Sequence, residues 1–220
     1  MLAMESTQTA AKQKKMKPRY WARATQALAA NDAVMKKLIV EHKYLSTGSR
    51  GDAFQTLSRA IVGQQISVKA AQSVWERFAA AHPGVTPDVV CASAADKLRA
   101  CGLSGQKSGY LLDLAAHFRD GRLDAARWKT LDDETLITLL TEVKGIGRWT
   151  AEMFLIFNLA RPDVFPVGDL GLQKAMTLHY NRGRKITLAK MQRIGAAWAP
   201  YRSVATWYMW RSLDPIPVEY

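Results

Sequence analysis

The sequence predicts an all-α protein. From Tyr20 onward, apolar residues in nearly every segment recur at the three- and four-residue spacing of one helical face. Gly, Pro and Asn separate these segments, and no stretch sustains the apolar–polar alternation that a half-buried strand requires. The chain has 220 residues, 48% of them hydrophobic, which is enough for one substantial core or two small lobes. We therefore expect one compact helical unit over residues 20–220.

The first half of this unit is predicted to be a series of amphipathic helices. Two short helices over residues 20–30 and 32–40 are followed by a loop over residues 44–52. The apolar residues of the next helix are Phe54, Leu57, Ile61 and Val62. Ser67 is placed to cap the helix that follows. The predicted buried face of that helix comprises Val68, Ala71, Val74, Trp75 and Phe78.

Short polar motifs mark where other helices begin. Thr86 precedes a proline, which is favoured in the first turn, so Thr86 is predicted to cap a short helix. Ser93 with Asp96, and Thr130 with Asp133, match the capping box, in which two side chains three residues apart satisfy backbone donors reciprocally. Each motif therefore predicts a helix start.

The most informative stretch is a helical hairpin over about residues 134–160. Its first helix is defined by Leu136, Leu139, Leu140 and Val143. The turn Lys144-Gly145-Ile146-Gly147 bends sharply and leaves no side chain over the bend. A second helix begins at Arg148 and is ended by an Arg-Pro pair at residues 161–162. Its first N–H groups, beside Lys144 and Arg148, predict binding of a nucleic-acid phosphate, although an ordinary helix-turn-helix would show the same glycines.

A single acidic residue follows the hairpin. Asp169 ends the segment Phe165-Pro166-Val167-Gly168-Asp169 and directly precedes a predicted helix over residues 170–180, which it could cap. A helix N-terminus stabilises negative charge, and that charge could in turn stabilise a nearby cation or orient water. Further helices are predicted over residues 187–198 and from Pro200 onward, and the last carries Trp207 and Trp210.

The composition predicts a polyanionic partner and no membrane span. The formal net charge is +12 and the pI is about 9.9, which suits nucleic acid. Residues 1–19 form a basic tail, either disordered or an arm along DNA phosphate, and no apolar segment after it makes a secretory signal. No stretch approaches the ~20 apolar residues of a membrane helix. The two cysteines, Cys91 and Cys101, favour a reducing compartment, the cytoplasm or, in a eukaryote, the nucleus.

Two segments together resemble the helix-hairpin-helix DNA glycosylase superfamily, in particular its 3-methyladenine glycosylase II branch. They are VKGIGRWTAEM at residues 143–153 and VFPVGD at residues 164–169. The segments GQQIS at residues 63–67 and CGLSGQK at residues 101–107 are similar to the lead-in segments of that family. The resemblance implies a two-lobed all-α fold with the active site in the cleft between the lobes.

The resemblance also implies roles for particular side chains. Asp169 matches the catalytic aspartate, which stabilises the sugar cation that forms as an N-glycosidic bond breaks. Trp149 and Trp210 match positions that line the pocket for a flipped base, where a ring face attracts the positive charge of an alkylated purine. Gln64 and Gln65 fall in the segment that enters the minor groove in relatives, although a polar helix end is the alternative.

The hairpin is implied to hold DNA and a cation. Its DNA-binding residues would be Lys144, Gly145, Ile146, Gly147 and Arg148, with Lys144 replacing the usual proline. Relatives often bind a monovalent cation, Na⁺ or K⁺, through backbone carbonyls, which here would be those of Thr141, Val143 and Ile146. No other cofactor is expected, because the iron–sulfur cluster of some relatives needs four cysteines and only two exist here.

The expected function is that of a monomeric, monofunctional glycosylase of base excision repair. It would remove purines of the 3-methyladenine type from double-stranded DNA and leave an abasic site. Relatives that cut the strand carry a lysine two residues after the second hairpin glycine, where this chain has Trp149. The alternatives are a non-catalytic module that grips DNA, which Asp169 and the two tryptophans argue against, and a superfamily glycosylase for another damaged base.

Overall fold

The computed structural model describes residues 18–42 and 51–213. Within these ranges the chain forms twelve α-helices and one short 3₁₀ helix, with no strand, so the prediction of an all-α fold is confirmed. None of these helices combines the length and the apolar character needed to cross a bilayer. Residues 1–17 of the predicted tail and most of the predicted loop at 44–52 lie outside the described residues.

The helices follow the predicted order closely. The first six, α1 to α6, are Trp21–Asn31, Ala33–Glu41, Ala53–Gly63, Val68–Ala81, Pro87–Cys91 and Ala95–Ala100. The other six, α7 to α12, are Gly105–Arg119, Asp133–Thr141, Arg148–Phe157, Leu170–Tyr180, Leu188–Ala196 and Arg202–Leu213. The 3₁₀ helix, Trp128–Thr130, lies between α7 and α8. The hairpin therefore consists of α8, the glycine turn and α9.

Two buried apolar clusters divide the molecule into two lobes, as predicted. The first cluster is formed by α3 to α9 and the segments between them. The second is formed by α1, α2 and α10 to α12, so the chain begins in the second lobe and returns to it at α10. Phe157 of α9 packs against both clusters, and Trp210 of α12 packs against the first. The two lobes thus meet beside α10.

Most helices begin where a polar side chain can accept a backbone hydrogen bond. Ser67 and Thr86 each accept the N–H three residues further on, so these predicted caps are confirmed, and Thr187 caps α11 in the same way. Gly102 and Gly121 have positive φ angles at helix ends, where a left-handed residue ends the helix without a steric penalty.

The two predicted capping boxes are wrong. α8 is capped by Asp132, whose carboxylate accepts both the backbone N–H of Thr135 at 2.9 Å and its hydroxyl at 2.6 Å. Asp132 stands directly before the helix and supplies two acceptor oxygens, whereas the hydroxyl of Thr130 donates to the carbonyl of Arg127 at 2.8 Å. α6 has no side-chain cap, because the hydroxyl of Ser93 is instead 2.7 Å from Nε2 of His82.

Two further predictions differ from the structure. Val68, placed on the buried face of α4, is 67% exposed. The second hairpin helix ends at Phe157, short of the Arg-Pro pair that was expected to end it. The reason is a turn after the helix, in which Ala160 has a φ of +52° and the N–H of Arg161 donates to the carbonyl of Leu155 at 2.9 Å.

Candidate active site

The site is built around Asp169, which caps the N-terminus of α10 as predicted. The residue is 9% exposed, and its Oδ1 accepts the backbone N–H of Leu172 at 2.6 Å. Oδ1 also accepts the indole N–H of Trp210 at 2.7 Å, and Oδ2 accepts the indole N–H of Trp149 at 2.8 Å. Hydrogen bonds to an ionised acceptor are the stronger kind, so donors from three helices fix the orientation of this carboxylate.

A cavity of about 320 Å³ opens beside the carboxylate. Its lining is formed by Trp149, Gly168, Asp169 and Leu170. Trp149 is 44% exposed and Leu170 is 79% exposed, so two apolar side chains border the opening. The cavity therefore combines an apolar rim with one nearly buried carboxylate, the combination that is typical of a small-ligand site.

The indole of Trp210 is held from both sides. Its ring stacks on Phe157 with centroids 5.7 Å apart and planes inclined by 21°. A Cβ atom on Gly171 would lie 3.1 Å from Oδ1 of Asp169 and 3.2 Å from Cδ1 of Trp210. The glycine therefore lets the first turn of α10 approach both groups. The structure brings both predicted tryptophans to Asp169, through their N–H groups, and Trp149 also lines the cavity.

The two glycines of the hairpin turn have different roles. Gly145 has a φ of +83°, and a Cβ atom there would overlap the ring of Tyr110. Gly147 directly precedes α9, which has no side-chain cap, and the space around its Cβ position is open. Ile146 is 3% exposed, so its side chain anchors the turn in the first core. The turn thus offers backbone N–H groups to a ligand at the positive end of α9.

The two cations that were predicted to flank a phosphate are in different situations. The side chain of Lys144 is exposed, while its backbone N–H donates to Oδ2 of Asp113 at 2.8 Å. The guanidinium of Arg148 forms ion pairs with Glu134 of α8 and, at 3.0 Å, with Glu152 of α9. Burial raises the pKa of Glu152, and the charge of Arg148 opposes that shift. Arg148 therefore ties the two hairpin helices together, and Lys144 is the more available cation.

The two glutamines of the segment predicted to enter the minor groove have different surroundings. The side-chain amide of Gln64 donates to the carbonyl of Gly145 at 2.8 Å, so Gln64 joins this segment to the hairpin turn. Gln65 is exposed and has a φ of +58°. Of the pair, Gln65 is the one whose side chain is free to contact another molecule.

The predicted cation ligands are carbonyl oxygens between the last residue of α8 and the hairpin turn. The Val143 carbonyl accepts the N–H of Ile146 at 3.0 Å and retains a second lone pair. Among the described residues, no group of three or more His, Cys, Asp or Glu side chains could hold a metal ion. A monovalent cation on the carbonyls of Thr141, Val143 and Ile146 stays a prediction.

Comparison with known proteins identifies the family. Residues 58–200 match the model of the HhH-GPD superfamily base excision DNA repair proteins, a span that includes the hairpin and Asp169. The chain belongs to the HhH-GPD superfamily. One relative is DNA-3-methyladenine glycosylase 1 of Schizosaccharomyces pombe. It is 31% identical to this chain over 180 residues, which cover 80% of this chain and 79% of the relative.

Two solved HhH-GPD structures are similar over most of the chain. A DNA-3-methyladenine glycosidase from Bacillus halodurans is 33% identical, with a TM-score of 0.79, and the match covers 87% of this chain and 89% of that one. The Schizosaccharomyces pombe 3-methyladenine DNA glycosylase in complex with abasic DNA is 29% identical, with a TM-score of 0.73 and coverage of 89% and 100%. The predicted superfamily and its all-α fold are confirmed.

Proposed function

We propose that this chain is a monofunctional DNA glycosylase that flips an alkylated purine out of duplex DNA and hydrolyses its N-glycosidic bond. The observation that carries the proposal is the carboxylate of Asp169, held by two indole N–H groups beside a cavity with an apolar rim. The names of the relatives, and the abasic DNA in one of the similar structures, support this reaction class and DNA as the partner.

This reaction requires at least one carboxylate near C1′ of the sugar. As the bond between C1′ and the base breaks, its electrons leave with the purine and positive charge develops on the sugar. A base that was cationic through alkylation leaves as a neutral molecule, so no acid needs to protonate it. Asp169 stabilises the sugar cation, and water then adds to C1′ and releases a proton. The products are the free base and an abasic strand.

Trp149 has two roles in the proposed reaction. Its indole N–H holds Oδ2 of Asp169, and its exposed ring is available to stack on a flipped base. A ring face attracts a cationic purine by about 1–2 kcal/mol once water is excluded. Trp149 also occupies the position where strand-cutting relatives carry an amine, so a Schiff base with the sugar is not expected.

The remaining contacts to DNA are proposed for the hairpin and for Gln65. Backbone N–H groups at the start of α9, with the exposed Lys144, bind phosphate without regard to base sequence. Gln65 fills the gap that the flipped base leaves. We further propose that the carbonyls of Thr141, Val143 and Ile146 hold a monovalent cation, and that the protein acts as a monomer in a reducing compartment.

The experiment that tests the function measures released bases. The protein is incubated with methylated duplex DNA, the soluble fraction is analysed for 3-methyladenine, and the strand is examined before and after alkali. We expect base release, a strand that breaks only after alkali, and no covalent adduct after borohydride reduction. Release of an oxidised or mismatched base, but of no alkylated base, would indicate another glycosylase. DNA binding without any base release would indicate a non-catalytic module.

A further inference from the structure

The segment between α3 and α4, residues 64–67, has an unusual backbone. Gln65 adopts a φ of +58°, in the left-handed region that residues other than glycine seldom occupy. Its neighbour Ile66 is 40% exposed, so burial of this apolar side chain holds the segment only in part. Such a conformation persists only where the surrounding structure holds it. Contacts from elsewhere in the chain must therefore stabilise it.

Lys107 of α7 supplies two of these contacts. Its ammonium group donates to the carbonyl of Val62 at 2.8 Å and to that of Gln64 at 2.7 Å. Both carbonyls lie at the C-terminal end of α3, where acceptors lack helical partners and the helix dipole favours a cation. Desolvation lowers the pKa of Lys107, as expected for an amine drawn partly into the protein. One side chain thus fixes the backbone on both sides of Gly63.

The same face of α7 also supports the hairpin turn. Tyr110 lies against Gly145, and Oδ2 of Asp113 accepts the backbone N–H of Lys144 at 2.8 Å. Together with Lys107, these residues recur every three positions and so share one side of the helix. α7 therefore holds both segments that are proposed to contact DNA.

We propose that Lys107 is a positioning residue for base flipping. By holding the carbonyls of Val62 and Gln64, it keeps Gln65 projecting from the surface at a fixed distance from the hairpin. The side chain of Gln64, bonded to the carbonyl of Gly145, completes this link. The inference rests on the proposed function, in which Gln65 occupies the gap left by the flipped base. Lys107 acts through the backbone and not on the reacting atoms.

The test compares Lys107→Met with Lys97→Met, which removes the same charge from an exposed position on α6 of the same lobe. The substrate is a duplex with one alkylated purine and a 2-aminopurine beside it, whose fluorescence rises when the base stack opens. We expect Lys107→Met to reduce both the fluorescence rise and the single-turnover excision rate by about tenfold or more. Lys97→Met should match the parent protein in both measurements.

Two further arms separate positioning from general damage to the fold. When the same lesion lies in an unpaired bubble, where flipping costs less, the deficit of Lys107→Met should shrink. Lys107→Arg keeps a cation and should recover part of the duplex rate. Thermal melting reports folding. If Lys107→Met does not fold, Lys107→Gln is compared with Lys97→Gln by the same criteria.

Equal flipping and excision by the Lys107 and Lys97 variants would overturn the inference. A deficit of equal size on duplex and bubble would also overturn it, because it would indicate general structural damage. Absence of excision by the parent protein is a different result, since it would refute the proposed function itself.

Discussion

The two oxygens of Asp169 are not equivalent. Oδ1 accepts two hydrogen bonds, from the backbone of Leu172 and from the indole of Trp210, whereas Oδ2 accepts the indole of Trp149. Each carboxylate oxygen has room for about two acceptor contacts. Oδ2 is therefore the oxygen with capacity left for a water molecule or for the developing positive charge of a sugar. We expect it to act in the reaction while Oδ1 holds the side chain in place.

Replacement of Asp169 by Asn should separate chemistry from folding. Asn caps a helix about as well as Asp, but its NH2 group cannot accept the indole N–H that one carboxylate oxygen accepts, so the melting temperature should fall while the protein still folds. The negative charge is lost, and excision should fall by about a hundredfold or more in single-turnover assays. DNA binding, followed by fluorescence anisotropy, should stay within a few-fold of the parent. Retained excision would show that another group stabilises the transition state.

The indole N–H of Trp149 can be tested apart from its ring. Trp149→Phe keeps an aromatic face and removes the donor to Oδ2, and the loss of a hydrogen bond to a charged group costs about 1.5–3 kcal/mol. We expect kcat to fall by about tenfold or more while KM for alkylated duplex changes little. Trp75→Phe, at a partly buried indole on α4 that contacts Arg59, is the matched control and should have no effect. A change confined to KM would assign Trp149 to base binding alone.

The two glycines of the hairpin turn are needed for different reasons, one for folding and one for access to the backbone. Gly145 is needed because the backbone is left-handed there and Tyr110 fills the space, whereas Gly147 borders open space. Gly145→Ala should therefore lower stability by about 1–3 kcal/mol and weaken binding to damaged and undamaged duplex alike. Gly147→Ala should leave the melting temperature unchanged and weaken binding only through its contact with phosphate. If either variant lost affinity for damaged DNA alone, the turn would belong to the base pocket.

At this same scale, prediction from sequence succeeded where the physics is local. Ser67, Thr86 and Asp169 are predicted as caps because each is a short polar residue directly before a helix. In the structure each accepts the backbone N–H three residues further on. Residue type alone does not determine which of two nearby polar residues caps a helix. Asp132 and not Thr130 caps α8, because Asp132 directly precedes the helix and has two acceptor oxygens.

Contacts between distant residues were missed for a different reason. The indole N–H groups reach Asp169 across 20 and 41 residues, and Lys107 reaches Val62 across 45. Hydrophobic periodicity carries no information about such pairs. The resemblance to a family placed the two tryptophans near the carboxylate, but the donor role of their N–H groups, and the role of Lys107, became visible only in the structure.

At the scale of the whole molecule, the site is assembled from both lobes. Asp169 caps α10 and Trp210 lies on α12, both in the second lobe, whereas Trp149 and Phe157 lie on α9 of the first. The distance between Trp149 and Oδ2 is therefore a measure of how the lobes sit against each other. A change that loosens their contact should reduce activity before either core unfolds.

Stability should depend on pH through Glu152, which is nearly buried on α9. Burial raises its pKa above the value of the unfolded chain, so ionisation costs stability in full above the folded pKa, and this cost is lost as the pH falls from the folded pKa to the unfolded one. Glu152→Gln should therefore melt at a higher temperature than the parent at pH 7.5, and the difference should shrink towards pH ~4.5. A gain of about 1 kcal/mol corresponds to about 2–4 °C for a domain of this size.

Glu142→Gln is the control for this measurement, because Glu142 is exposed at the end of α8. Because the side chain is exposed, the melting temperature of Glu142→Gln should stay close to that of the parent. If the difference in melting temperature between Glu152→Gln and the parent does not vary with pH, the prediction is wrong. The ion pair with Arg148 would then offset the loss of hydration of the Glu152 carboxylate in full.

The unequal anchoring of the two tryptophans has a consequence for the evolvability of the protein. Trp210 stacks on the ring that joins the two cores, so a substitution there would carry a folding penalty as well as a change in the pocket. Leu170 extends from the rim into solvent and could vary at less cost to stability, whereas a substitution of Trp149 would remove its hydrogen bond to Oδ2 of Asp169. Under selection for a new lesion, we expect accepted substitutions to occur first at Leu170 while the Trp210 side stays unchanged.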